Sequence, residues 1–100
     1  MEYLTINEIK REYYSKTNGH WFDKGTMRYF NCRLPRYGIK TDTGTYFISS
    51  EQYVDFKGNV EPRLYTIRKM ELSGQIETIG KFQQYKTRQQ AQRTLDKIIK

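Results

Sequence analysis

Two helix starts stand near the two ends of this chain and bound what can lie between them. Thr5-Ile6-Asn7-Glu8 has the T-x-x-E form of a capping box, in which hydroxyl and carboxylate each satisfy a backbone N–H of the first turn. Leu4 before the cap and Ile9 after it have the spacing of a hydrophobic staple. Ile6, Ile9 and Tyr13 follow on one face, and Glu12 and Lys16 form an i, i+4 pair in the favoured order. Asn18-Gly19 supplies a stop at which Gly19 can take positive φ, so the pattern predicts a helix over about residues 5–17. Thr87-Arg88-Gln89-Gln90 repeats the box in T-x-x-Q form, with Ala91, Leu95, Ile98 and Ile99 on one stripe. Gln89, Arg93, Lys97 and Lys100 occupy the opposite side, in line with Lys86.

Strand signals fill the interval. Thr45 to Ser50 is β-rich, and Arg63 to Leu72 is the longest strand candidate, with Pro62 placed to open it. Ser73-Gly74 is a hairpin turn, and Gln75 to Tyr85 returns as the partner strand with Gly80 as a bulge position. Leu64, Met70 and Leu72 fall on one face of the long strand and Tyr65 and Ile67 on the other. One face is expected to meet helices and the other to be a mixed aromatic and polar surface. Pro35 to Gly38, Asp42-Thr43-Gly44 and Glu51 to Glu61 read as turns and loops. Residues 20–34 fit two patterns, a short helix capped by Asp23 or an alternating strand, and the adopted reading is a helical turn feeding a strand near Cys32. The expected fold class is α+β, an antiparallel sheet of at least three strands flanked by an N-terminal and a C-terminal helix, in a single domain over residues 1–100.

Composition removes several classes. Only 36% of residues are apolar, but 15 of the 100 are aromatic, and each ring can bury about 150–250 Å², so Tyr supplies much of the interior. One Cys allows no internal disulfide, and Cys32 with His20 makes two soft ligands against the four of a structural zinc site. No apolar run approaches the roughly 18 residues of a membrane span. The first ten residues lack the basic start and apolar core of a secretion signal, which makes a cytoplasmic location the expectation. The seven Gly residues form neither G-x-x-x-x-G-K-[ST] nor G-x-G-x-x-G, so nucleotide hydrolysis has no support. His20-Trp21-Phe22 could hold an acid–base group, with Asp23 as the nearby carboxylate, but reads better as an aromatic cluster at the core edge. Cys32 reads as a small buried hydrophobe. No enzyme activity, cofactor or small-molecule substrate is expected.

The charge carries the functional expectation. The net +7 is uneven: residues 1–22 hold three cations and three anions, and residues 51–71 hold four and four. Residues 23–50 hold five cations against two anions, and residues 72–100 six against two. If those two blocks meet, they form a basic face that attracts polyanions. Arg28, Arg33, Arg36 and Lys40 interleave with Tyr29, Phe30 and Tyr37, the mixture that neutralises phosphates and stacks on bases. The same mixture arises where rings form a core and Arg stems cover it. The candidate nucleic-acid-binding residues are Arg28, Arg33, Arg36, Lys40, Lys81, Lys86, Arg93 and Lys97, with an exposed Tyr stacking where bases are read.

The segment Phe22 to Thr87 resembles an uncharacterised family of about 100-residue proteins carried by phages and integrative elements. The resemblance rests on Thr26-Met27-Arg28-Tyr29-Phe30-Asn31-Cys32-Arg33, Ser50-Glu51, Pro62 to Arg68, Ile76 to Gly80, Phe82-Gln83, Tyr85 and Thr87. That family often carries Ser where Cys32 stands. Residues 63–99 also resemble the three-stranded sheet and helix of integrase arm-binding domains, and the whole order resembles double-stranded-RNA-binding domains. Arg88 stands alone where the RNA-binding module has a Lys-Lys cluster. The resemblances imply a non-enzymatic module that binds DNA or RNA, or a mobile-element inhibitor, such as an anti-CRISPR protein, that binds an acidic patch on a host defence protein.

Overall fold

The computed structural model describes residues 2–23 and 32–99. Thr5 ends strand β1 (Glu2–Thr5) and caps helix α1 (Ile6–Lys16). Both halves of the predicted box form: Glu8 N–H donates to Thr5 Oγ1 at 3.2 Å, and Thr5 N–H donates to Glu8 Oε1 at 3.1 Å. The helix stops at Thr17, which is extended and donates its N–H to Tyr13 O at 3.1 Å. Gly19 does not use positive φ there, contrary to the expectation; it is needed because the Tyr13 hydroxyl sits where a Cβ would point. That hydroxyl accepts from Trp21 N–H at 3.2 Å, folding the chain back under the helix.

The remaining elements are β2 (Tyr37–Thr41), β3 (Gly44–Glu51), β4 (Leu64–Glu71), β5 (Ile76–Ile79) and helix α2 (Arg88–Ile98). They complete a five-stranded antiparallel sheet in the order β1-β2-β3-β4-β5. The α+β class holds, an antiparallel sheet of at least three strands with an N-terminal and a C-terminal helix, and two strands join those expected. β1 precedes the first helix, and β2 forms where turn residues were read. The strand expected near Cys32 is reduced to one bridge, Arg33 to Ser50, and the helical turn expected over 24–31 lies outside the described residues. β5 ends at Ile79 and not at Tyr85. Gly80 turns the chain out at φ 80°, and Tyr85 returns to pair with Tyr65 in a single bridge.

Period-two alternation explains why the sheet is covered twice. Tyr46 and Ile48 share a face with Ile39 and Ile67, and Ala91 and Leu95 of α2 pack there. Phe47 and Met70 face the other way with Leu4, against Ile9 and Tyr13 of α1, and Trp21 and Phe22 seal the edge. Each fully buried aliphatic or aromatic side chain contributes about 1.5–3 kcal/mol. All of β3 is buried, as a strand between two layers must be. The second face, expected as a mixed aromatic and polar surface apart from the helices, does hold aromatic and polar side chains but is covered by α1. α2 starts at the predicted cap, with Gln90 N–H donating to Thr87 Oγ1 at 3.1 Å. Its Gln90 side chain accepts from Lys86 N–H at 3.1 Å, one residue before the position a capping box uses.

Candidate nucleic-acid interface

Strand register sorts the candidate cations by face. Arg33 bridges Ser50 through paired backbone bonds of 2.8 and 2.9 Å, so it lies on the face that carries Tyr46, Ile48 and α2. Arg93 and Lys97 are exposed on α2, away from the buried Ala91 and Leu95. Lys86 is exposed just before the cap. Arg36 is exposed at the entry to β2, where its carbonyl accepts from Ile6 N–H at 2.8 Å. Lys81 is exposed in the turn after β5, its N–H held by Gln84 Oε1 at 2.9 Å. Lys40 stands opposite Glu2 and Thr45 on the α1 face, in a hollow shared with Glu2, Glu8, Arg11 and Glu12. Arg28 lies outside the described residues. The structure thus brings Arg33, Lys86, Arg93 and Lys97 to the α2 side and puts Lys40 on the opposite one.

The two helical layers differ in charge. α1 carries Lys10, Arg11 and Lys16 against Glu8 and Glu12, and Lys16 pairs with Glu12 at 2.8 Å. α2 carries Arg88, Arg93 and Lys97 against Asp96, and the Asp96 carboxylate accepts from Gln92 Nε2 at 3.0 Å. Among the described residues, none of Arg33, Arg36, Lys40, Lys81, Lys86, Arg88, Arg93 and Lys97 forms an ion pair. Unpaired surface cations leave the α2 side with a positive field that falls off over about 8 Å at physiological salt.

Beside α2 the sheet edge opens into a hollow of about 240 Å³. Tyr46, Ile39, Ile48 and Leu95 supply apolar walls, and Pro35, Tyr3, Tyr37, Arg88 and Gln92 complete them. Tyr3 stands opposite Ile39 in the β1–β2 pairing, which places Tyr37 on its diagonal. Tyr3 is 72% and Tyr37 57% exposed. Arg88 carries the only charge among the described lining residues. Tyr37 stands in the basic run legible in the sequence, whereas neither Tyr3 nor Arg88 is among the candidates the sequence offers.

The α1 face holds a second polar grouping, formed where Glu51 was read as the start of a loop. The buried Glu51 carboxylate accepts from Ser49 Oγ at 2.5 Å and Thr66 Oγ1 at 2.6 Å, and Arg68 Nη2 lies 3.5 Å away. Arg68 donates from Nε to Ser49 at 3.1 Å and from Nη1 to Thr78 at 2.7 Å, with Trp21 and Phe82 rings over its guanidinium. Gln83, at φ 57°, donates its N–H to Thr66 Oγ1 and its side-chain amide to Glu51 O. No described buried side-chain nitrogen or oxygen lacks a partner, so the grouping ties β3, β4, β5 and the 80–85 turn together. Cys32 is half-buried with its thiol 4.0 Å from Glu51, and burial followed by that carboxylate pushes the thiol up, away from a nucleophilic thiolate.

His20 and Asp23 do meet, Nδ1 to Oδ2 at 2.7 Å, and Tyr14 donates to the other Asp23 oxygen. His20 is exposed, while Trp21 and Phe22 pack edge-on with Phe22 and Tyr13 at 4.8 and 5.2 Å, the core-edge cluster the sequence indicates. Among the described residues no group of His, Cys, Asp and Glu is arranged to hold a metal ion.

Residues 5–96 match the model of a family of unknown function, DUF7447. The chain belongs to DUF7447. Searches of curated proteins and of solved structures found no match. The DUF7447 match covers α1, the sheet from Thr5 onward and α2 as far as Asp96, so Arg33, Tyr37, Lys86, Arg88 and Arg93 lie within it and Tyr3 and Lys97 lie just outside. Among the described residues, no helix of this DUF7447 member is long and apolar enough to cross a membrane.

Proposed function

We propose that this DUF7447 member is a small nucleic-acid-binding module of a phage or other mobile element, working through its α2 side. The observation that carries the reading is a set of cations without an ion pair among the described residues, Arg93 and Lys97 on the outer side of α2 and Lys86 just before it, beside a tyrosine-lined hollow in which Arg88 is the one charge among the described lining residues. Arg33, on the same face of the sheet, extends the surface. Cations that neutralise phosphates release the counterions condensed on them, and rings beside those cations favour bases over bulk anions. Lys40, among carboxylates on the far face, is left out of the contact set. Fluorescence anisotropy with labelled duplex and single strands at low salt is the test. Binding whose log K falls linearly with log salt supports the reading, with Arg93→Glu/Lys97→Glu weakening it and reducing the salt slope by about 2. Absence of binding at micromolar protein overturns it.

One observation favours a second reading, an inhibitor that docks on a host defence protein. The 53–60 loop is tied by a Val54–Val60 bridge and by the Asp55 carboxylate, which accepts from Lys57 N–H and Asn59 N–H at 2.9 Å. That turn holds Phe56 at 96% exposure, with Val60 also exposed, and its Asp55 and Glu61 carboxylates disfavour phosphate. Pull-down from nuclease-treated host lysate separates the readings: a retained protein lost on Phe56→Ser favours docking, and emptied beads favour nucleic acid.

A further inference from the structure

We infer that the nucleic acid is single-stranded and that the hollow beside α2 takes one unpaired base, an inference that rests on the nucleic-acid reading above. The hollow encloses about 240 Å³. A dry apolar cavity of about 150 Å³ is enough to hold benzene, so a nucleobase fits with room for its sugar to leave the mouth. The chemistry of the walls fits a flat, amphipathic ring: Ile39, Ile48 and Leu95 line it, Tyr46 adds a third aromatic surface, and Tyr3 and Tyr37 stand at the open edge. Stacking on such rings tolerates any base because every base has a π face. A purely aliphatic ligand has no use for the Arg88 guanidinium or for the cations along α2, and an acidic peptide has no use for the rings.

The hollow also argues against a duplex. In a paired helix the base faces are covered by their neighbours, so stacking on Tyr3 and Tyr37 requires a base already splayed out or a costly flip. The cations then serve the backbone. Arg88 lines the hollow itself, and Arg93 and Lys97 continue along the same helix on its solvent side. A strand that seats one base against the β1–β2 edge thus has phosphate partners on one neighbouring element.

The experiment compares a short labelled oligothymidine with a duplex of equal length in fluorescence anisotropy, for wild type, Tyr3→Ala, Tyr37→Ala, Tyr37→Phe and Arg93→Glu/Lys97→Glu. Both tyrosines are exposed at the sheet edge, and circular dichroism confirms that each variant keeps the fold. The expected result is preference for the single strand, a loss of roughly five- to 150-fold in each alanine variant with the salt slope unchanged, and wild-type binding in Tyr37→Phe. A 2-aminopurine placed in the strand loses fluorescence on binding wild type and keeps it with Tyr37→Ala. Equal or tighter duplex binding, or alanine variants that bind like wild type while the charge variant is weakened, overturns the single-strand inference and leaves the nucleic-acid reading in place. No binding to either probe overturns both.

Discussion

Arg68 and Glu51 meet inside the sheet's α1 face, Nη2 to Oε2 at 3.5 Å, with side chains 8% and 0% exposed. The attraction between the charges is not what makes this arrangement tolerable. Glu51 has two hydroxyl donors closer than the guanidinium, and Arg68 spreads its donors over Ser49 and Thr78 while lying against two rings. Buried ions persist when each remaining lone pair and proton finds a partner.

Removing one member of the pair is therefore expected to cost more than the pair is worth. Arg68→Met leaves the Glu51 carboxylate buried without a countercharge and strips Ser49 and Thr78 of a donor, a loss of about 3–5 kcal/mol. The double variant Glu51→Gln/Arg68→Met removes both charges and recovers part of it. Urea unfolding of the two singles and the double completes the cycle. A single variant as stable as wild type sinks the argument.

Gly38 sits under Ile9, and this closeness sets how near α1 approaches β2. A Cβ added at Gly38 would lie 2.6 Å from Ile9 Cδ1 and 2.7 Å from the Tyr46 carbonyl oxygen. The backbone oxygen cannot step aside, so Gly38→Ala lifts the helix or bends the strand. The expected loss is about 1–3 kcal/mol, read as a lower urea midpoint. Ile9→Val beside it makes room, and the double variant is expected to be more stable than the sum of the singles.

The parts of this fold that could be read in the sequence are those decided by neighbours within four residues. Thr5 and Glu8, or Thr87 and Gln90, fix a helix start with groups on one turn; α1 lies within one residue of its expected limits and α2 starts directly after its expected cap. β1 and β2 depend on each other. Glu2 to Thr5 is a short edge strand, and β2 contains Gly38, which reads as punctuation until Ile9 is seen above it. The candidate site follows the same division. The α2 cations show in sequence as a helical stripe, whereas Tyr3 and Tyr37 become neighbours only through pairing across more than thirty residues of chain. Glu51 and Arg68 were hidden because charged residues on a strand normally mark solvent, and only a double-covered sheet turns them inward.

Acid is expected to weaken the protein through Glu8 and Asp23. Backbone and hydroxyl hydrogen bonds from Thr5 hold the Glu8 carboxyl below its ordinary 4.5, and Tyr14, then His20, hold Asp23 below 3.8. Each contributes stability that is complete above those ordinary values and is lost as pH falls through the lower folded-state ones. Glu77 acts in the opposite sense. A hydrogen bond shared with Glu71, together with that group's charge, raises it above 4.5, so its contribution is present in acid and lost as pH rises through the raised value. Thermal unfolding from pH 2 to 6 is expected to show Thr5→Ala losing part of the acid dependence and Glu77→Gln steepening the rise. Identical profiles for all three proteins rule the assignment out.

Tyr14 is expected to keep its proton in alkali after most phenols have lost theirs. It donates to Asp23, so ionisation would break that bond and place an oxyanion against a carboxylate; the hydroxyl is pushed up to about 12 from 10.0. In the unfolded chain the same phenol ionises near 10, so the folded state binds a proton the unfolded state has released between about pH 10 and 12. The Tyr14 contribution to stability is therefore complete below 10 and declines across that window. Ring-carbon NMR shifts against pH report the Tyr14 titration directly. Asp23→Asn keeps a side-chain oxygen acceptor but removes the charge, and it is expected to bring the titration back toward 10 and to flatten the alkaline loss of stability. A Tyr14 ring that titrates near 10 in wild type shows that the Asp23 bond does not persist in solution, and with it goes the tie between α1 and the turn that carries His20.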